Sequence, residues 1–421
     1  MMKVFFMSNS IGRGYGYSRN YGRLAQELAR KGHDVIYLGM QENCPPWRDE
    51  DGILRLGLRY APYGGDILGF YLRSYKPDIF ISGVDLWMDD IQYLPKAVHK
   101  ARVPWIAATT VNSAPLSHML HRSIQYATAI IAPSMFGVEV LANEGLNSIY
   151  IPHGLDLDVF KPMKVDDLDV FTLHKPKYCC LSVQRNKGFQ KAPWILMWAW
   201  QELLKNHPDF IGEAVLLMLT DPKEPGGFET LIELRERIGL QDHIQFLWAR
   251  PDENGQLIPT YEGDARGMPH NANMGFSSEV MAQLYNMADV HVLSSLCESF
   301  SLPTAEALAC GTPCIAPDYA ALPELIDVGE PKPRGLLVDI ESKWMLPTIE
   351  ELRIASPTDM AEKIHKLLSD SRLRKKCSKR GVGFTKRFSW SKIVPQWEKV
   401  IESVYEGWYM TPSYNSGILG I

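Results

Sequence analysis

Val290-His291-Val292-Leu293-Ser294-Ser295-Leu296-Cys297-Glu298-Ser299-Phe300-Ser301-Leu302-Pro303-Thr304-Ala305-Glu306-Ala307-Leu308-Ala309-Cys310-Gly311-Thr312-Pro313-Cys314-Ile315-Ala316 is the stretch from which the fold can be read. The short apolar run ending near Leu293 reads as a buried strand. A polar turn carries Glu298. Pro303 suits the first turn of a helix, because its missing N–H is not needed there. Glu306 then lies about one turn in, and Gly311 ends the helix. Pro313 to Ala316 is the next strand. Strand, helix, strand in this order is a parallel crossover unit.

The same alternation extends on both sides. Toward the N-terminus, strands are expected at Tyr178 to Val183, Ala214 to Leu219 and His243 to Trp248. Helices are expected at Trp194 to Leu204, Thr230 to Ile238 and Glu279 to Met287. An earlier series starts with the strand Val4 to Met7. A loop with Gly12, Gly14 and Gly16 follows, then an amphipathic helix through Tyr21, Leu24 and Leu28, ended by Gly32. Asp34 to Leu38, Asp78 to Ile81, Trp105 to Ala108, Ala129 to Ala132 and Ser148 to Ile151 continue it as strands. Two doubly wound α/β domains are therefore expected, at 1–165 and 175–389. The polar stretch of about 160 to 177 reads as their linker. Residues 249–277, rich in Gly and Pro, read as a long loop, mobile until a ligand orders it. From Trp390 on, apolar residues at helical spacing predict a helix over about 390–421 that packs back on the first domain.

Composition narrows the class. The chain has 421 residues, 22% charged, with 44 Lys+Arg against 49 Asp+Glu and a net charge of -5. That balance argues against a dedicated nucleic-acid binder. No run is long and apolar enough to span a membrane. Seven Cys in so long a chain make no disulfide framework, and no CxxC or His stands at zinc spacing. A cytoplasmic protein with reduced thiols is expected. Surface contact with a membrane is allowed, and Lys96, His99, Lys100 and Arg102 are the cations that would face anionic lipid, a solvated helix face being the plainer reading.

Three places carry residues suited to chemistry. The Gly loop opens a helix, where backbone N–H groups attract phosphate. Its spacing is not that of dinucleotide enzymes, since position 19 is Arg and no acid closes the next strand. After the strand ending at Val183 come Arg185, Lys187 and Lys191. Cations at the carboxyl edge of a parallel sheet suit a diphosphate. Glu298 and Glu306 stand eight apart at a helix start, so both can face one ligand. Taken alone, the cations read equally well as solvated surface charges, and Glu306 as a complement to the helix dipole.

Glu298-x(7)-Glu306 with Pro303 and the run Ala307 to Ala316 resembles the signature of retaining GT-B glycosyltransferases of group 1. Ile151-Pro152-His153-Gly154-Leu155-Asp156-Leu157-Asp158 resembles that family's crossover between domains, and Gly335-Leu336-Leu337-Val338 its segment beyond the two-Glu motif. The resemblance implies two Rossmann-like domains facing a central cleft. It implies transfer of a hexose from a nucleoside-diphosphate sugar to a glycan, lipid or other acceptor, with retention and with no metal or other cofactor. In that reading Glu306 binds the ribose, and Glu298 the donor sugar. Arg185 with Lys191, or with Lys187, binds the diphosphate. The backbone of Ser299, Phe300, Ser301 and Leu302 meets the diphosphate, and Gly14 and Gly16 close on it. Asn112 and Asp85 are the acceptor-side residues. The family's usual His is missing from Thr109 to Pro115, and the usual Gly residues beside Phe300 are Ser299 and Ser301. A nucleotide-sugar epimerase on the same architecture, and a silent nucleotide-sugar-binding scaffold, are the rival readings.

Overall fold

The structure is a computed structural model. It describes residues 1–410 other than 13–15, 41, 87–91, 166–167, 172–175, 225–226, 228–229, 270–274 and 328–331. The chain divides into two compact units. One holds Met1–Gly154, Pro347–Glu350 and the residues from Trp390 on; the other holds Leu155–Leu346 and Glu351–Ser389.

The first unit is built on an eight-stranded sheet. Its strands are β1 (Lys3–Asn9), β2 (Asp34–Met40), β3 (Trp47–Arg48), β4 (Leu54–Leu56), β5 (Ile79–Gly83), β6 (Trp105–Ala108), β7 (Ala129–Ala132) and β8 (Ile149–Tyr150). They lie in the order β3-β4-β2-β1-β5-β6-β7-β8, parallel except for the edge strand β3. Val4 to Met7 of β1 form an unbroken apolar run because both faces of the strand are covered. Phe5 and Met7 face one core with Phe80 and Trp105; Val4 and Phe6 face the other with Tyr37 and Ile81. Helices α1 (Arg23–Arg30), α2 (Leu68–Tyr75), α3 (Leu94–Ala101), α4 (His118–Ile124) and α5 (Met135–Asn143) connect the strands. Ser134 caps α5 by accepting from the Gly137 N–H at 3.1 Å.

The second unit has a six-stranded parallel sheet, β11-β10-β9-β15-β16-β17. These are β9 (Tyr178–Val183), β10 (Ala214–Leu219), β11 (Ile244–Phe246), β15 (Val290–Val292), β16 (Cys314–Pro317) and β17 (Gly335–Val338). Between them run β12 (Trp248–Pro251), β13 (Leu257–Thr260) and β14 (Met268–Pro269), and after them the hairpin β18 (Ile340–Met345) and β19 (Glu351–Ala355). The helices are α6 (Gly188–Lys191), α7 (Pro193–Asn206), α8 (Leu231–Arg237), α9 (Ser278–Met287), α10 (Leu302–Cys310), α11 (Leu322–Ile326), α12 (Pro357–Ser369) and α13 (Ser371–Thr385). α14 (Trp390–Met410) returns to the first unit, where Ile393, Trp397 and Ile401 join the core with Val4 and Phe6.

Two expectations are corrected here. The first unit ends at Gly154, not near 165. Leu155, Phe160 and Val170 are buried in the second unit's core. The Lys and Asp content of this stretch concealed these apolar anchors. Residues 249–277 are also no structureless loop. β12, β13 and β14 form a three-stranded antiparallel sheet in the order β13-β12-β14. Polar anchors replace the missing apolar ones. Arg235 grips Glu262 with two bonds of 2.6 and 2.9 Å, and Thr260 donates to the buried Asp264 at 2.8 Å.

Candidate active site

In the second sheet, β9 continues to β10 and β11 on one side and meets β15 on the other. Strand order reverses between β9 and β15. At such a switch point the loops leave the carboxyl edge in opposite directions and open a ligand crevice. The cation-bearing segment follows β9, and the two-Glu segment follows β15. Side chains join the two: Gln184 Nε2 donates to Ser294 Oγ at 3.0 Å, and Ser294 Oγ donates to the Ala192 carbonyl at 2.9 Å.

Each candidate cation meets a carboxylate or solvent. Lys191 Nζ donates to Glu298 Oε1 at 2.6 Å, with side chains 21% and 12% exposed. The Arg185 guanidinium pairs with Glu224 on the loop after β10; Glu224 is 4% exposed and Arg185 44%. Lys187 is exposed. Between the two lysines, then, Lys191 is the one in contact with the two-Glu segment. Glu224 is a partner of Arg185 that sequence reasoning missed. It lies in a turn whose composition carries no chemical signal.

Glu306 is buried, 1% exposed, and accepts a bond from the Tyr285 hydroxyl at 3.2 Å. The half-buried Glu298 is the more accessible carboxylate. Tyr285, on α9, is a second missed partner. Cys310 beside Glu306 is pushed up to about 12 by burial and then by the Glu306 charge, so its thiol stays neutral.

Ser301 adopts φ +72°, the left-handed region that favours Gly. This is one of the two positions where Ser stands in place of the family's Gly. Its hydroxyl sits 2.8 Å from Thr304 Oγ1 and makes no cap to the backbone. The first turn of α10 thus keeps its positive end without a side-chain cap. Phe300 is buried edge-on against Phe388, with centroids 5.4 Å apart, while Ser299 and Leu302 are half-buried.

In the first unit, the carboxyl edge between β1 and β5 holds a compact polar cluster. Tyr17 donates to Asp85 Oδ1 at 2.5 Å and sits 2.8 Å from Thr110 Oγ1. Burial, then the Asp85 charge, raise the Tyr17 hydroxyl well above its ordinary range. Gly16 is exposed at the start of this turn, and Asn112 is half-buried after β6. Gly14 lies outside the described residues. Asp85 is therefore engaged by Tyr17, another residue the sequence did not single out. His118 is exposed and His121 partly exposed on α4; Trp200 is fully buried and Trp198 exposed.

Lys96, His99 and Arg102 line a cavity of about 420 Å³ together with Trp105, Tyr126 and Trp408. Trp105 opens β6, so this cavity lies at the amino edge of the first sheet, away from Asp85. Among the described residues all seven cysteines are free, and no helix is long and apolar enough to cross a membrane.

The comparisons agree with this architecture. Residues 260–370 match the family model described as Glycosyl transferases group 1. The D-inositol 3-phosphate glycosyltransferase of Corynebacterium jeikeium (strain K411) is 27% identical over 216 residues, 51% of this chain and 41% of that protein. That of Streptomyces bingchenggensis (strain BCW-1) is 28% identical over 220 residues, 52% and 39% of the two chains. The matched region thus spans about two fifths of the length of these curated relatives. Among solved structures, sucrose-phosphate synthase from Thermosynechococcus elongatus superposes with TM-score 0.67 at 17% identity, covering 96% of this chain and 99% of that one. Anabaena HepE in complex with UDP-glucose gives 0.66 at 15%, covering 96% and 100%. The fold is GT-B. Glu298 and Glu306 both lie within the residues that match the Glycosyl transferases group 1 model.

Proposed function

We propose that this chain is a retaining, metal-independent glycosyltransferase that moves a hexose from a nucleoside-diphosphate sugar to a glycan, lipid or other acceptor. The observation that carries the reading is the Lys191–Glu298 pair before the uncapped start of α10 at the β9/β15 switch point, with Arg185 following β9. A departing nucleoside diphosphate gains negative charge in the transition state. Two cations and a helix N-terminus stand at this edge of the sheet to meet that charge, which is the part a metal would otherwise take.

In this site Lys191 pairs with Glu298 and Arg185 with Glu224. A diphosphate competes with those carboxylates for the same cations. Lys191 then turns to phosphate, and Glu298 is released to accept hydroxyls of the sugar. Glu306, held by Tyr285, reads the ribose once the donor displaces what covers it. Tyr17, Asp85 and Thr110 serve the acceptor side, with Asn112. UDP-glucose is the first donor to test, because HepE is found with it; inositol phosphate is the first acceptor, from the names of the curated relatives.

The test is a panel of UDP-, GDP- and ADP-hexoses with and without acceptor, in chelator. Release of nucleoside diphosphate that depends on acceptor, survives EDTA and yields product of the donor's anomeric configuration supports the proposal. Loss in chelator restored by manganese or magnesium overturns metal independence. Turnover without acceptor points to an epimerase or hydrolase, and binding without turnover to a silent subunit.

A further inference from the structure

We propose that His207, Glu362 and His365 form a binding site for a divalent transition-metal ion of the zinc class on the second unit. His207 follows α7 directly, and Pro208 turns the chain there. Glu362 and His365 stand three apart on α12, on one face of the helix. α7 and α12 are fixed against each other by one apolar core that contains Leu196, Trp200 and Leu203 with Met360, Ile364 and Leu367. The three side chains are thus carried on a rigid frame, as a metal site requires.

Their geometry suits one ion. One ligand atom from each residue lies within 4.8 Å of the others. His207 Nε2 and Glu362 Oε1 are 3.2 Å apart. Bonds of about 2.0–2.1 Å in a tetrahedral site put ligand atoms roughly 3.3 Å apart. The two imidazoles lie 3.6 Å apart and parallel within 5°. Stacked rings hold their in-plane lone pairs in separate planes, so binding one ion requires the rings to turn out of parallel. Phe210 meets His365 edge-on at 5.7 Å and backs the ring. Two imidazoles and a carboxylate select zinc, copper or nickel over magnesium and calcium. Glu362 is 49% exposed, so water completes the coordination.

The site is separate from the donor residues. α7 begins two residues after Lys191 and runs 14 residues before His207. At 1.5 Å per residue that is about 21 Å. An ion there pins the end of α7 to α12 and takes no part in transfer.

The experiment uses untagged, chelator-stripped full chain. Cobalt(II) alone is titrated and read by visible absorption, and zinc alone is added in thermal melts. One equivalent of cobalt giving the visible bands of a nitrogen- and oxygen-ligated ion is expected. A zinc-dependent rise in Tm of roughly 3–5 °C at a hundredfold excess over Kd accompanies it. Both are lost in His365→Ala and in His207→Gln, whose side chains reach the surface and whose folding is checked by the melt without metal. Transfer in EDTA stays unchanged. No band and no shift overturn the proposal, as do a band and shift that persist in both variants; either outcome leaves a surface His–Glu hydrogen bond beside stacked rings. Neither outcome depends on whether the chain transfers sugar.

Discussion

Replacing Arg185 by Ala separates the roles of the cation and of its partner. Arg185 is 44% exposed and Glu224 4%, so the pair is asymmetric: the guanidinium reaches solvent and a ligand, and the carboxylate does not. Deleting the guanidinium strands a buried carboxylate. Removing one partner of a fully buried pair costs about 3–5 kcal/mol. The exposed arginine means that much of this pair is already screened, so about 1 kcal/mol is expected here. In a chain of 421 residues that is a fall in Tm of about 1 °C. The effect on transfer is larger. Loss of one preorganised charge at a developing anion costs about a hundred- to a thousandfold. Arg185→Lys keeps the charge without the planar fork and should fall between. Glu224→Gln keeps the volume, removes the charge paired with the guanidinium and should change kcat less than Arg185→Ala. A double-mutant cycle in Tm and in kcat/KM, with nucleoside-diphosphate release as the assay, then measures the coupling, expected at roughly 0.5–3 kcal/mol. A folded Arg185→Ala protein with near wild-type kcat/KM would refute the assignment of this arginine to the diphosphate.

Glu306→Ala should lower transfer about a hundred- to a thousandfold while the fold survives, and Tyr285→Phe should lower it less, since it removes one bond of about 1.5–3 kcal/mol to a charged group; equal turnover in all three proteins would show Glu306 to be only structural. Acid stability should follow the buried histidines. Burial pushes His291 down to about 3 and His153 down to about 4. Each binds its proton more readily in the unfolded chain, near pH 6.5, so their neutral forms leave stability intact above that pH. Below it each contributes a loss of about 1.4 kcal/mol per pH unit until its folded value is reached. Denaturant melts from pH 7 to 4.5 should show this slope; a flat profile, or one unchanged by His291→Leu, would contradict it. Hydrogen exchange should find Leu257–Thr260 protected without ligand, because β13 is bonded to β12; free exchange there would restore the reading of 249–277 as an open loop.

How far the sequence could be read depended on the range of the interaction. Val4 to Met7, Ala214 to Leu219 and Pro313 to Ala316 were legible as parallel strands because a strand covered on both faces must be apolar throughout. Gly311 and Pro303 marked helix ends through their own backbone chemistry. The small sheet of β12, β13 and β14 was illegible, since its apolar content is low and its anchor Glu262 is held by Arg235, 27 positions earlier.

At the candidate site the division is the same. Arg185, Lys191, Glu298 and Glu306 were identifiable as residue types at suggestive spacing, because a charged side chain beside a strand end announces itself locally. Their pairing was not. Lys191 finds Glu298 across 107 positions, Arg185 finds Glu224 across 39, and Tyr17 finds Asp85 across 68. Ser301 reads in the sequence as a departure from Gly, and only the backbone shows that it takes the left-handed conformation anyway. Sequence alone settles which groups are present and what each element buries, since those follow from near neighbours and solvent. The tertiary structure decides which charges neutralise each other and which stay poised for a ligand, because Coulomb and hydrogen-bond energies depend on distances that the folding of the sheet sets.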